Sequence, residues 1–241
     1  MHEIFCNSLV SGFFQSNLTG QAIVFAQLAA SVAMFAYIIG KYCQLKKIES
    51  LSRKSTRSIM GERGVLDHFL ARREAQSQCS VENIYNSTSE RLLRMFPMDV
   101  RNAIISRNIG VSPTITDNQF ELVKSQCEYA LEEETIRIEY GMGVIATVVA
   151  LSPMLGLLGT VWGVLDAFAE MGAQGNATIS TLAPSISAAL VTTVVGLLIA
   201  FPGVAAHSNL TAKIRNISSD IEKFADDLLG RIALEMQGRN Q

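Results

Sequence analysis

The most informative parts of this chain are LSPMLGLLGTVWG, from Leu151 to Gly163, and APSISAALVTTVVGLLIAFPGV, from Ala183 to Val204. Neither contains a charged residue, and each lies in an apolar run long enough to cross a bilayer, which takes about 20 helical residues. Each also places a threonine near its middle, Thr160 and Thr193, among many Gly, Ala and Ser residues. Because lipid-facing helices need neither small nor hydroxylated residues, these stretches predict membrane helices that pack closely or line a polar path.

The composition of the whole chain agrees with a membrane protein that has a substantial polar portion. Of its 241 residues, 49% are hydrophobic and 17% charged, and the mean hydropathy is +0.26. The net charge of −2 gives no basic field that would attract nucleic acid. Four dispersed cysteines and three scattered histidines predict neither a disulfide framework nor a metal site. No P-loop, GxSxG or HExxH motif occurs, so we expect neither an enzyme nor a cofactor.

Three membrane spans are predicted, at 20–40, 141–167 and 182–206. The first is expected to be retained, because MHEIF at the start of the chain lacks the basic region of a signal peptide. Six Lys and Arg residues against one acid follow that span before residue 58, whereas the connection between the other two spans has no basic residue. The positive-inside rule therefore places 1–19 and 168–181 outside, and 41–140 and 207–241 in the cytoplasm.

The segment 41–140 is predicted to be helical in several pieces. Helices are expected at about 41–58, at about 62–78 and from Ser80 onward, with breaks at Pro97 and at 110–113. Thr116 and Gln119 form the pattern of a capping box. No breaker is recognised after them, so a helix from Thr116 is expected to continue unbroken into the second span.

The tail 207–241 carries apolar residues at near-heptad spacing. They are Leu210, Ile214, Ile217, Ile221, Phe224, Leu228 and Ile232. The stripe predicts an amphipathic helix, packed within its own chain or between subunits, and packing within the chain is the expected form. The acidic run Glu132, Glu133 and Glu134 is expected to be a solvated face.

Small residues form a face on each of the last two spans. Gly159 and Gly163 make a GxxxG pattern, and Gly156 lies one turn before Thr160. The face on the third span consists of Ala189, Thr193, Gly196, Ala200 and Gly203. Helix packing alone explains such faces, but paired hydroxyls also allow a polar path. None of the three spans has an ionisable residue in its middle, so a conducting assembly would need a carboxylate from a partner.

The stretch from about Ser152 to Val204 resembles the TolQ/ExbB/MotA proton-channel family, most densely in SPMLGLLGTVWGVLDAF and ATISTLAPSISAALVTTVVGLLIAFPGV. The order of the spans and the large insert after the first also fit. Three spans suit the TolQ and ExbB branches, and GTVWG followed by an AF pair leans to TolQ. The resemblance implies an all-α protein with three transmembrane helices and long cytoplasmic helical extensions.

The resemblance also implies partners and site residues. It implies a homopentamer in the lipid of an inner membrane, around single-span TolR/ExbD-like partners that supply a membrane aspartate. Thr160 and Thr193 match the family threonines that face the pore. Other motif positions that shape the helices are Pro153, Gly159, Trp162, Gly163, Pro184, Gly196 and Pro202. Ala188 departs from the family pattern, which commonly has an acidic residue there.

The implied function is that of a proton-conducting stator subunit of a Tol-Pal type motor, which would drive a periplasm-spanning TolA/TonB-like protein. One alternative is an ExbB-like energiser of TonB-dependent transport across the outer membrane. Another is a non-conducting membrane scaffold, in which Gly156, Ala189 and the other small residues serve assembly alone.

Overall fold

The computed structural model describes residues 18–61, 66, 79–105, 114–174 and 179–236. All regular structure in these ranges is α-helical, which confirms the predicted fold class. The helices are α1 (Leu18–Gly61), α2 (Ser80–Met95), α3 (Met98–Ile105), α4 (Asp117–Glu139), α5 (Met142–Gln174) and α6 (Ile179–Met236). In the described part of the chain, three stretches are long and apolar enough to cross a membrane, and they fall in α1, α5 and α6.

Helix α1 joins two predicted elements, because the expected first span and the expected helix at 41–58 are one continuous helix ending at Gly61. Between Lys41 and Met60 the sequence has neither glycine nor proline, so nothing in it breaks the helix. The predicted segment 62–78 lies outside the described residues apart from Leu66, and the predicted break at 110–113 lies outside them entirely.

The prediction of an unbroken helix from Thr116 into the second span is wrong. Helix α4 ends at Glu139 and α5 begins at Met142. Between them Gly141 has a φ of 85°, a left-handed conformation that only glycine adopts at little cost. A Cβ atom added at Gly141 would also overlap the hydroxyl of Tyr37. Helix α5 then extends to Gln174, into the segment 168–181 that the sequence assigned to a loop.

The described residues belong to two compact units, each built from separate parts of the chain. The apolar unit comprises the described residues within Met1–Lys41 and Gly141–Thr211, and it contains the parts of α1, α5 and α6 that are long and apolar. Its outer surface exposes large apolar side chains. Among them are Phe25, Val32, Met154, Leu158, Leu165, Leu198 and Phe201. Such a surface is suited to hydrocarbon rather than water.

The charged unit comprises the described residues within Tyr42–Tyr140 and Ala212–Gln241. Helix α2 contributes buried apolar residues to its core, including the fully buried Ile84, Tyr85 and Leu92. Helix α2 ends at Met95 and α3 begins at Met98, which confirms the predicted break at Pro97. The capping box is also confirmed: Thr116 N donates to Gln119 Oε1 at 2.9 Å, and Gln119 N donates to Thr116 Oγ1 at 3.4 Å.

The apolar stripe of the tail is buried within the chain along its whole length. All seven predicted positions, from Leu210 to Ile232, are at most 4% exposed. This confirms the expected packing within the chain. The burial follows from the spacing, because residues at intervals of three and four share one side of a helix.

The expectation of a solvated acidic face is wrong for Glu134. Glu132 and Glu133 are exposed, but Glu134 is only 7% exposed. Its Oε1 accepts hydrogen bonds from Asn83 Nδ2 at 2.7 Å and from Arg137 Nη1 at 3.1 Å. These partners pair one oxygen of the buried carboxylate, whereas Oε2 has no hydrogen-bond partner among the described residues. The run of three glutamates does not reveal this burial.

Candidate functional site

A fully buried glutamine on α1 is the first component of a polar site inside the apolar unit. The side chain of Gln27 is 0% exposed, and Val24 and Met34 are buried on the same helix. Spacings of three and seven residues place these three positions on one face of α1. Gln27 Nε2 donates a hydrogen bond to the main-chain carbonyl of Ser152 on α5, at 3.1 Å.

The second component is the carbonyl of Gly156, one turn further along α5. It accepts from two consecutive threonines of α6: Thr192 Oγ1 lies at 3.0 Å and Thr193 Oγ1 at 2.9 Å. Thr192 is 1% exposed, and its hydroxyl also lies 2.7 Å from the carbonyl of Ala189. Thr193 is half-buried. The single hydrogen of the Thr192 hydroxyl is shared between the carbonyls of Gly156 and Ala189, whereas Thr193 donates to Gly156. Of the two hydroxyls, only that of Thr192 is enclosed by the helices.

Glycines permit this close approach of α5 and α6. A Cβ at Gly156 would lie 2.9 Å from the main chain of both Thr192 and Thr193. A Cβ at Gly159 would overlap the Thr192 hydroxyl, and one at Gly163 would lie 2.6 Å from Ala189 Cβ. The small faces that the sequence predicts on the two helices thus lie against each other.

Thr160 does not join this hydrogen-bonded site. It is half-buried, and its hydroxyl donates to the carbonyl of Leu157 in its own helix at 2.7 Å. Threonines inside helices commonly make such local bonds. Among the described residues, Thr160 and Thr193 share no hydrogen bond, although Thr193 bonds to the residue one turn before Thr160.

The prolines and the tryptophan of the predicted site lie around this centre rather than in it. Pro153 is inside α5, beside Ser152, and Pro184 and Pro202 are inside α6. Both prolines of α6 are exposed, and Trp162 is 45% exposed. Pro153 has no amide hydrogen, so the regular hydrogen-bond ladder of α5 is interrupted immediately beside the carbonyl that Gln27 binds.

A sequence profile described as the MotA/TolQ/ExbB proton channel family matches residues 80–223, more than half of the chain. The chain belongs to this family. The matched region includes α5 and the part of α6 that carries Thr192 and Thr193. Apart from Gln27 of α1, the polar site therefore lies within the region that matches the family profile.

Curated relatives come from two branches of the family. A biopolymer transport protein ExbB of Xanthomonas campestris pv. campestris is 36% identical over 119 residues, which are 49% of this chain and 46% of the relative. A Tol-Pal system protein TolQ of Haemophilus influenzae is 37% identical over 98 residues, 41% of this chain and 43% of the relative. A TolQ of Pseudomonas aeruginosa is 35% identical over 118 residues, 49% of this chain and 50% of the relative. The chain thus spans about half the length of the curated relatives it matches.

Small buried side chains occupy the positions of α6 where the resemblance to the family led us to expect an acidic residue. Ala188 is 2% exposed, and the adjacent Ala189 is 4% exposed. Neither can exchange a proton. In the described part of the chain, no group of three or more His, Cys, Asp or Glu side chains could hold a metal ion either.

Sequence reasoning missed Gln27, Ser152 and Thr192. A search for ionisable residues does not detect the neutral amide of Gln27. Thr193 belongs to the small-residue face predicted on the third span, whereas the preceding Thr192 does not. The position of Gln27 relative to Val24 and Met34 is the signal that could have identified it, because a polar residue in the buried register of a membrane helix is costly unless paired.

Proposed function

We propose that this family member is a proton-conducting stator subunit of a Tol-Pal type motor in an inner membrane. The observation that carries the proposal is the hydrogen bond from the half-buried Thr193 to the carbonyl of Gly156. That carbonyl lies inside α5, where the main-chain N–H four residues later also bonds it, so the hydroxyl of Thr193 can turn towards another acceptor without leaving a buried carbonyl unpaired.

The acceptor that suits Thr193 is a carboxylate from a partner. The predicted spans have no ionisable residue in their middle, so the chain itself offers hydroxyls but no group that binds and releases a proton. An ionised partner aspartate would accept a hydrogen bond from the Thr193 hydroxyl. Once protonated, the aspartate would be a weaker acceptor and this hydrogen bond would break. Thr193 would then return to Gly156, and the change in bonding would release the partner helix to move.

The energy available is sufficient for this exchange. One elementary charge that crosses about 100 mV releases about 2.3 kcal/mol. A hydrogen bond between membrane helices contributes about 0.6 kcal/mol on average. A single proton can therefore drive the exchange of one or two such bonds.

The proposed assembly follows the family pattern. This chain would form a homopentamer in lipid around single-span TolR/ExbD-like subunits, with 1–19 and 168–181 outside and 41–140 and 207–241 in the cytoplasm. A TolA/TonB-like protein would transmit the movement. Thr160, half-buried one turn beyond Gly156, would provide the second hydroxyl of the path.

An ExbB-like energiser of TonB-dependent transport is a second candidate, since relatives named ExbB and TolQ are similarly close to this chain. Co-purification distinguishes the two: recovery with a TolR-like and TolA-like pair supports the first, and recovery with an ExbD-like and TonB-like pair supports the second. A scaffold that does not conduct protons is the third candidate.

Proton flux into liposomes tests conduction. Liposomes would contain this chain with its single-span partner, and Thr193→Val would be compared with Thr192→Val. Each variant removes one donor to the same carbonyl at nearly constant shape. We expect Thr193→Val to abolish partner-dependent flux and Thr192→Val to retain part of it. A scaffold predicts no partner-dependent flux in the assembled wild-type complex.

A further inference from the structure

The carboxamide of Gln27 is only half-paired. Its Nε2 donates to Ser152 O, but its Oε1 has no hydrogen-bond partner among the described residues, although the side chain is 0% exposed. An unpaired amide oxygen inside an apolar helix bundle is unfavourable. For stability alone, an unbranched apolar side chain of similar volume, such as methionine, would serve better at this position.

The same carboxamide lies beside the threonine site. Ser152 and Gly156 are four residues apart, so their carbonyls lie on the same side of α5, one turn from each other. A Cβ at Gly156 would be 3.5 Å from Gln27 Nε2 and 2.9 Å from Thr193 Cα. A Cβ at Gly196 would be 3.0 Å from the same nitrogen. Gln27 therefore reaches from α1 to the point where α5 and α6 cross.

The turn of α5 that Gln27 holds is also the turn that proline weakens. Pro153 follows Ser152 directly and donates no hydrogen bond. A turn with a missing main-chain bond is easier to displace, and the Gln27 hydrogen bond restrains it from the outside. The bond that Pro153 cannot make is the one to the Val149 carbonyl, so the weakened turn is 149–153, and the carbonyl of Gly156, which accepts from Thr193, lies in the turn that follows it.

We propose that Gln27 is a positioning residue of the proton path: its amide fixes the Ser152–Gly156 turn so that the Gly156 carbonyl meets Thr193. The inference rests on the proposed function, because it assigns Gln27 a part in conduction through Thr193. It explains why a half-paired amide is present where an apolar residue would be more stable.

The first test compares Gln27→Met with Met34→Leu, a change at another buried position of α1, in the full-length chain with its single-span partner. We expect Gln27→Met to unfold at the same or a higher temperature than wild type, while partner-dependent flux falls at least tenfold. Met34→Leu should leave flux within about twofold, since volume-conserving apolar exchanges are well tolerated. A lower melting temperature for Gln27→Met would show that Gln27 is merely structural and overturn the inference, as would undiminished flux.

The second test does not depend on conduction. A cysteine at position 193 would be introduced by Thr193→Cys, and its reaction with a small membrane-permeant thiol reagent would be followed by peptide mass spectrometry. We expect Gln27→Met to change the reaction rate by at least about threefold, the effect of one hydrogen bond between membrane helices. An unchanged rate would overturn the inference. If the wild-type complex carries no flux, the proposed function fails, and the reaction rate still decides whether Gln27 positions residue 193.

Discussion

Replacing Gly196 by alanine should test how strongly the crossing of α5 and α6 depends on close approach. A Cβ at Gly196 would lie 2.5 Å from the Ser152 carbonyl oxygen, which is main chain and cannot rotate away. Ordinary van der Waals contact begins at 3.4 Å. The two helices must therefore separate by about 0.9 Å at this point, the difference between these two distances.

That separation has a calculable cost. The hydrogen bonds from Thr192 and Thr193 to Gly156, now 3.0 and 2.9 Å, would stretch beyond hydrogen-bonding distance. At about 0.6 kcal/mol each they account for about 1.2 kcal/mol, and overpacking adds about 1–3 kcal/mol. The higher helix propensity of alanine returns at most about 1 kcal/mol. We expect Gly196→Ala to lower the free energy of unfolding by about 2 kcal/mol.

Two other glycines provide matched controls. A Cβ at Gly143 would meet no atom within 4 Å, so Gly143→Ala should be neutral or slightly stabilising. A Cβ at Gly203 would meet the ends of the Val149 and Met34 side chains, at 2.7 and 3.1 Å, which can move. Gly203→Ala should therefore lower the free energy of unfolding by an amount between those of Gly143→Ala and Gly196→Ala. Equilibrium unfolding in mixed detergent micelles would measure all three variants. A Gly196→Ala variant as stable as Gly143→Ala would show that close approach at Gly196 does not stabilise the crossing of α5 and α6.

Three further predictions concern other parts of the chain. Thr116→Ala should lower the free energy of unfolding by about 1 kcal/mol, because it removes the N-cap of α4. An unchanged thermal unfolding midpoint would show that this cap does not contribute to stability. Cys43 is exposed and Cys127 is fully buried, and burial raises the pKa of the Cys127 thiol, so less reactive thiolate forms at a given pH. In native protein Cys43 should therefore react with a thiol reagent much faster than Cys127, and equal rates resolved by mass spectrometry would contradict the burial. Gly141→Ala should lower the free energy of unfolding by about 1–2 kcal/mol, because alanine would have to adopt a left-handed conformation and displace Tyr37. An unchanged unfolding midpoint would contradict the left-handed conformation at residue 141.

The sequence predicts well those features that repeat along a helix. The three apolar stretches, the tail stripe from Leu210 to Ile232 and the Thr116 capping box each involve spacing or local pairing, and the structure confirms them. Regular spacing determines which side of a helix is apolar, and burial of that side is what stabilises the helix in the folded protein.

The features that the sequence does not predict depend on single residues whose conformation or partner lies elsewhere in the chain. Gly141 adopts a positive φ only because of the chain path at that point, and many glycines do not. Gln27 bonds to a residue 125 positions away, and Glu134 pairs with Asn83, 51 positions away. Such pairs leave no local pattern, so they become visible only when the helices are assembled.

The acceptors in the polar site have a consequence for genetics. Gln27, Thr192 and Thr193 all donate to main-chain carbonyls, and every amino acid carries such a carbonyl. A defect at one of these donors cannot be repaired by a compensating change in an acceptor side chain. Suppressor selections from a Gln27 variant should therefore yield revertants, or second donors from neighbouring turns, but no reciprocal swaps at Ser152.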